Sequence, residues 1–172
     1  MIVVEGPDNA GKSTLIGKLS RTLGWNVYHP GGPPANAEEF LKQAISSLKY
    51  AHEKVIQDRS MIISDPVYST VYPRNFSCDY HELIVTLCVY VNPVIIYCRP
   101  PDEFMLDFSR HEIGENDDEN QLITLHSNMP RIIQEYDMVM LSIQHIKYDH
   151  TSDNYDMFEG VISNELNKRT IS

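Results

Sequence analysis

The run Gly6-Pro7-Asp8-Asn9-Ala10-Gly11-Lys12-Ser13 satisfies G-x-x-x-x-G-K-[ST] at every fixed position, with Thr14 next in line. Each fixed residue has a chemical task. The glycines let backbone wrap closely around phosphate oxygens, amide N–H groups and a helix N-terminus supply positive potential, and Lys12 reaches the β- and γ-phosphates. The Ser13 hydroxyl suits Mg²⁺. The pattern follows a predicted strand, Ile2 to Glu5, and precedes a predicted helix. That context separates a phosphate cradle from a glycine-rich turn that binds nothing. Gly6, Asn9, Ala10, Gly11, Lys12, Ser13 and Thr14 are therefore the expected contacts to ATP.

A second group of reactive types is Val55-Ile56-Gln57-Asp58-Arg59-Ser60, a strand-like run ending in an acid and then an arginine. Strand ends in a parallel sheet face the ligand crevice. Asp58 there suits Mg²⁺ held through water, and the planar fork of Arg59 suits a phosphate. An idle surface ion pair is the alternative, and the phosphate loop favours the functional reading. No Asn-Lys-x-Asp run is present and no Asp-x-x-Gly follows the third strand, which argues against a regulatory GTPase.

The elements that must position these residues alternate between short apolar runs and longer helical stretches, the pattern of an α/β fold with a mostly parallel sheet. Five strands are expected: Ile2 to Glu5, Trp25 to Tyr28, Val55 to Asp58, Val94 to Cys98 and His145 to Asp149. Helices are expected over Ser13 to Leu23 and Ala37 to Glu53, the second with Phe40, Leu41, Ala44, Ile45 and Leu48 on one face. Asn36 with Glu39, and Asp79 with Glu82, have capping-box spacing. The latter pair precedes a face of Leu83, Ile84, Leu87, Cys88 and Val91, and Asn92-Pro93 ends that helix. From Gln121 to Ser142 the pattern is helical, with Pro130 giving either a kink or two shorter helices. Phe158, Val161, Ile162 and Leu166 mark a last helix.

At 172 residues and 42% apolar composition, the chain is expected to form one domain with one core. A net charge of −10 argues against general affinity for nucleic acid or anionic membrane. No apolar run approaches the roughly 18 residues of a membrane helix, and no secretory leader precedes the first strand, so a cytoplasmic protein is expected. Cys78, Cys88 and Cys98 show neither CxxC pairing nor metal-ligand spacing and read as small core residues. The acidic run Glu115 to Glu119, after His111, reads as a solvated loop without phosphate contact, and no histidine has catalytic spacing.

Three segments together resemble thymidylate kinases: Glu5 to Thr14 with its acidic third loop position, the Pro30-Gly31-Gly32 turn, and Asp58-Arg59 with Ser64 and Tyr68 downstream. The resemblance runs in family order over most of the chain and implies a three-layer P-loop kinase fold. It implies transfer of the γ-phosphoryl group of ATP, with Mg²⁺, to a deoxynucleoside monophosphate, thymidine monophosphate first. Asp8 would face the acceptor near its sugar and phosphate, Arg59 would bind the acceptor phosphate, and Ser64 and Tyr68 would lie beside the acceptor. Arg110 would be the lid arginine in a lid around residues 110–121, with Arg131 assisting. Phe40 is a weaker candidate for base stacking than for plain core. The family also implies a homodimer. The chain departs from the family in a shorter stretch before Asp58, in having no arginine after Phe40, and in Asn9 where some members carry arginine. Such trimmed forms resemble those of bacteriophages, which implies an unusual deoxynucleotide.

The mechanism expected is in-line transfer with charge neutralisation by Lys12, Mg²⁺ on Ser13 and Asp58, and the loop amides, without a general base. A deoxynucleoside kinase is the nearest rival. It shares the loop and an acidic-Arg-Ser stretch, but needs a base where this chain reads Tyr28-His29-Pro30. A binding module without turnover would have a damaged loop, whereas Lys12 and Ser13 are intact.

Overall fold

A computed structural model describes residues 1–110 and 119–170. Five strands form one sheet: β1 (Ile2–Glu5), β2 (Asn26–Tyr28), β3 (Val55–Asp58), β4 (Val94–Cys98) and β5 (Ile146–Tyr148). Their order is β2-β3-β1-β4-β5, and every pairing is parallel. β1 and β4 are buried along their whole length, which is why they read as unbroken apolar runs rather than alternating ones. The chain builds one side of β1 first and then crosses to the other. This reversal opens a crevice at the carboxyl ends of β1, β3 and β4.

Helices cover both faces of the sheet. Helix α1 (Lys12–Leu23) buries Leu15, Ile16 and Leu19 and stops at Gly24, whose positive φ lets its N–H reach the Ser20 carbonyl. Helix α2 (Ala37–Lys49) is capped by Asn36 Oδ1, which accepts from the Glu39 N–H, while the Glu39 carboxylate accepts from the Ala35 N–H. Its buried stripe is Phe40, Ala44 and Ser47, whereas Leu41 and Ile45 are exposed. The expected face was therefore too wide by one side. The helix also ends four residues before Glu53, in turns closed by Ala51 N–H to Leu48 and Glu53 N–H to Tyr50.

Helix α3 (Met61–Ser69) has no counterpart among the expected elements. Met61 to Asp65 and Val67 are all buried, polar Ser64 and Asp65 included, so no solvent-facing period could be read, and Pro66 lies inside it. Helix α4 (Tyr80–Thr86), capped by Asp79, continues into a π-turn over Leu87–Val91 that closes at Asn92 with positive φ. Short α5 (Asp102–Met105) is followed by a 3₁₀ turn, Phe108–Arg110. Helix α6 (Glu119–Met140) passes through the exposed Pro130 without interruption, and α7 (Tyr155–Thr170) packs Phe158 and Ile162 inward. Val161, expected on that inner face, is half exposed. Of the three cysteines Cys98 is buried and Cys78 and Cys88 are partly so; all three are free. Among the described residues no helix is long and apolar enough to cross a membrane.

Candidate active site: a phosphate loop beside an arginine-lined cleft

The loop from Gly6 to Lys12 joins β1 to α1 and needs its glycines for different reasons. Gly6 has φ +142, and a Cβ there would stand 2.4 Å from the Cys98 carbonyl oxygen at the end of β4. Gly11 has φ +80 with His150 directly against it. Asn9 also adopts positive φ and is tied down by its side-chain amide, which donates to the Asp107 carbonyl at 2.9 Å. Lys12 is buried, and its ammonium donates to the Pro7 carbonyl within the loop. Burial and the neighbouring Arg59 pull its pKa down to about 8, against the opposing pull of Asp8. A phosphate would favour the charged form.

β3 delivers Asp58, Arg59 and Ser60 to the same crevice. Arg59 sits at φ +66, outside the range ordinary side chains prefer, and its N–H bonds to the Val4 carbonyl at 3.0 Å. Its Nη2 donates to Asp8 Oδ1 at 2.6 Å and lies 3.5 Å from the Gly6 carbonyl. The guanidinium stands over the Tyr68 ring at 5.3 Å, and Tyr68 donates its hydroxyl to Asp8 Oδ2 at 2.7 Å. Burial acts to raise the Asp8 pKa, but Arg59, Lys12 and Tyr68 outweigh it and hold the carboxyl well below the usual range. Among the described residues Arg59 Nε is buried without a hydrogen-bond partner, and the guanidinium is held through Nη2.

Under this cluster lies Glu5, fully buried at the end of β1. Its Oε1 accepts from the Ser60 N–H at 2.5 Å and its Oε2 from the Tyr136 hydroxyl at 3.3 Å. Burial pushes its pKa up to about 7. The carboxylate thereby fixes the backbone next to strained Arg59.

The crevice opens into a cleft of about 760 Å³, a size that holds a small organic ligand. Asp8, Asp58, Arg59, Ser64 and Tyr68 line it with the Pro30-Gly31-Gly32 turn, so the structure brings these expected residues together. The Ser64 hydroxyl donates to the Ser60 carbonyl at 3.0 Å, securing the start of α3. Phe40 does not line the cleft: it is 1% exposed and packs on Phe76 and Tyr80, which corrects the stacking candidate to plain core. Arg131 is likewise outside the cleft, on the solvent face of α6 beside Glu135. The Arg110 side chain, His111 and the acidic run as far as Asp118 lie outside the described residues, and with them most of the expected lid.

The cleft also contains residues not expected from the sequence: Asp65 on α3, Arg74 in the connection to α4, Tyr72, and Leu122 and Leu125 from α6. The 61/65/68 spacing on a recognised α3 would have signalled Asp65 alone. Asp58 Oδ2 pairs with His29 Nδ1 at 3.0 Å, across the ends of β3 and β2. Ser13 is exposed at the start of α1. The oxygen chemistry of Ser13 and Asp58 fits Mg²⁺, and no three His, Cys, Asp or Glu side chains cluster as a cage among the described residues. The ion would thus complete its shell with phosphate oxygens and water.

No protein-family model matches the chain, and no match was found among curated protein sequences. Solved structures do match. YorR from Bacillus subtilis, in complex with phosphorylated GDP, superposes with TM-score 0.74 at 19% identity, over 99% of this chain and 98% of that one. Deoxyadenosine kinase from M. mycoides, with dCMP and dCDP bound, gives 0.53 at 21% identity, over 97% and 98%. Shikimate kinase from Acinetobacter baumannii, in complex with shikimate, gives 0.56 at 14%, over 96% and 94%. At these identities the likeness speaks for architecture, and the chain has the P-loop kinase fold: a five-stranded parallel sheet flanked by helices.

Proposed function

We propose that the chain transfers the γ-phosphoryl group of ATP to a deoxynucleoside monophosphate, thymidine monophosphate being the acceptor its sequence resemblance implies. One observation carries this reading. The Arg59 guanidinium lines the cleft and is tethered by Nη2 to Asp8, a residue of the phosphate loop itself. A quarter of the Arg59 side chain faces the cleft, so a second phosphate entering the cleft meets the guanidinium beside the phosphate loop, which sets it next to the donor. Nucleotides bound to the solved YorR and deoxyadenosine kinase structures support a nucleotide acceptor.

Lys12 and the loop amides then stabilise charge on the transferring group, and Arg59 holds the attacking oxygen in line. Ser13, and Asp58 through water, would hold Mg²⁺, which would supply charge neutralisation at the donor phosphates. The acceptor phosphate is already ionised, so no base is required. The test is ADP release from a panel of nucleoside monophosphates with ATP and Mg²⁺. Turnover is expected with at least one, and loss of two or more orders of magnitude in Lys12→Ala. Absence of turnover across the panel would overturn the reading.

A second reading, phosphorylation of a nucleoside 5′-hydroxyl, is favoured by the His29–Asp58 pair at the strand ends. With Nδ1–H donating to Asp58, the imidazole Nε2 is a proton acceptor at the crevice rim. Thymidine assayed against thymidine monophosphate separates the two.

A further inference from the structure

We propose that Tyr136 and Glu5 are positioning residues for the acceptor. Two hydrogen bonds in series, from the Tyr136 hydroxyl to the Glu5 carboxylate and from the Ser60 N–H to that same carboxylate, set the aim of Arg59 from inside the core. The inference rests on the reading of Arg59 as the clamp on the acceptor phosphate.

Arg59 and Ser60 are held by consecutive main-chain N–H groups. The Arg59 N–H donates to the Val4 carbonyl at 3.0 Å and the Ser60 N–H to Glu5 Oε1 at 2.5 Å. The last two residues of β1 thus grip the two residues that follow β3, just where the paired register of Val4 with Asp58 ends. The side chain of Ser60 adds nothing: its hydroxyl is buried without a partner among the described residues and does not cap α3. The left-handed φ of +66 at Arg59 therefore depends on Val4 and Glu5. Without such support a residue with a Cβ relaxes to negative φ, which would turn the guanidinium away from its tether on Asp8.

Glu5 is itself held in place. Lys12 and Arg59 act on it through space, and its second oxygen accepts from the Tyr136 hydroxyl at 3.3 Å. Tyr136 is fully buried on α6, its ring edge-on to Tyr68 at 6.1 Å and nearly parallel to Tyr97 at 6.2 Å. Tyr68 is the residue that bonds Asp8 and lies under the Arg59 guanidinium. Helix α6 thus reaches the clamp by two routes, through Glu5 to the backbone and through Tyr68 to the side chain. The same helix supplies Leu122 and Leu125 to the wall of the cleft.

Full burial disfavours a carboxylate, so stability does not account for one here. What the group supplies is a bridge: its two oxygens join α6 to the junction of β3 and α3, which an apolar side chain of equal size cannot do. Glutamine can, because its carbonyl accepts from Ser60 and its amide donates to the Tyr136 oxygen.

The test combines calorimetric binding of dTMP, dCMP, dGMP and dAMP with initial rates of ADP release, on the full chain, for the wild type, Tyr136→Phe, Glu5→Gln and Glu5→Met. Tyr136→Phe should raise Kd and KM of the best-bound monophosphate about fivefold and leave the KM of ATP within about twofold. Glu5→Met fills the space without either bond and should raise both constants about tenfold or more, whereas Glu5→Gln should stay within about threefold of the wild type. A role in stability alone would lower melting temperatures and leave the constants of the folded variants unchanged. Unchanged monophosphate binding in Tyr136→Phe therefore overturns the proposal, and so does Glu5→Gln as impaired as Glu5→Met. A loss shared equally by ATP also overturns it, since the damage would then lie in the phosphate loop. Should Glu5→Met fail to fold, Tyr136→Phe decides, because it removes one oxygen and keeps the packing. A wild type that binds a monophosphate without turnover removes the kinase reading, and the fivefold change in Kd then tests the positioning role alone; one that binds none of the four overturns both.

Discussion

Two arginine–aspartate pairs stand at the carboxyl ends of the strands flanking β1: Arg59–Asp8 after β3, and Arg99–Asp137 after β4. Every nitrogen of Arg99 is engaged: Nε and Nη2 with Asp137 at 2.9 and 3.0 Å, and Nη1 with the Pro100 carbonyl and with Asp102. Tyr97 adds its hydroxyl to the same carboxylate at 2.7 Å. Arg59 instead has a strained backbone, one side-chain ion pair and a buried nitrogen without a partner. A completed guanidinium joins elements of the fold. An incomplete one, kept in backbone strain at the edge of a cleft, is the pattern on which the proposed acceptor site rests.

The sharpest way to break this contrast is Arg59→Ala. It should lower kcat/KM for the acceptor by two or more orders of magnitude while the melting temperature changes little; near-normal turnover would end the distinction. The next effect lies in pH. Glu5 has a folded pKa of about 7 against an ordinary 4.5, so below 4.5 it is protonated in both states and costs nothing. As pH rises from 4.5 to 7 the unfolded chain releases its proton first, and folding loses roughly 3 kcal/mol from this group. Urea midpoints at pH 5 and pH 8 should therefore differ less in Glu5→Gln than in the wild type. At the other pair the sign is reversed. Burial acts to raise the Asp137 pKa, but Arg99 and Tyr97 outweigh it, so its stabilisation is present above the ordinary carboxylate range and fades on acidification.

Arg99→Ala should cost about 1–2 kcal/mol of stability by denaturant titration and leave kcat within about threefold, the converse of Arg59→Ala. The smallest expected effect is that of Tyr68→Phe, which removes one hydrogen bond from Asp8. A loss of about 1 kcal/mol should appear as a several-fold rise in acceptor KM at nearly constant kcat.

Much of this was legible in the sequence because short apolar runs bounded by polar turns leave little choice. β1, β3 and β4 match the expected limits, and the loop, Asp58 and Arg59 sit where the strand ends put them. What escaped was whatever lacked a period or depended on distant partners. α3 buries its polar Ser64 and Asp65 along with its apolar residues and contains Pro66, so it has the look of a buried strand or loop. The Asp65–Arg74–Tyr80 cluster spans an irregular connection whose course no local pattern dictates. Phe40 and Leu41 adjoin in sequence, yet only packing against Phe76 and Tyr80 decides which of them is enclosed.

The contact between Gly6 and the Cys98 carbonyl makes the end of β4 a mechanical stop for the phosphate loop. The position of the loop is therefore gauged against a neighbouring strand rather than by the loop's own stiffness. Alterations around Cys98, remote from the loop in the sequence, would shift the loop against Arg59 by whatever distance that stop moves.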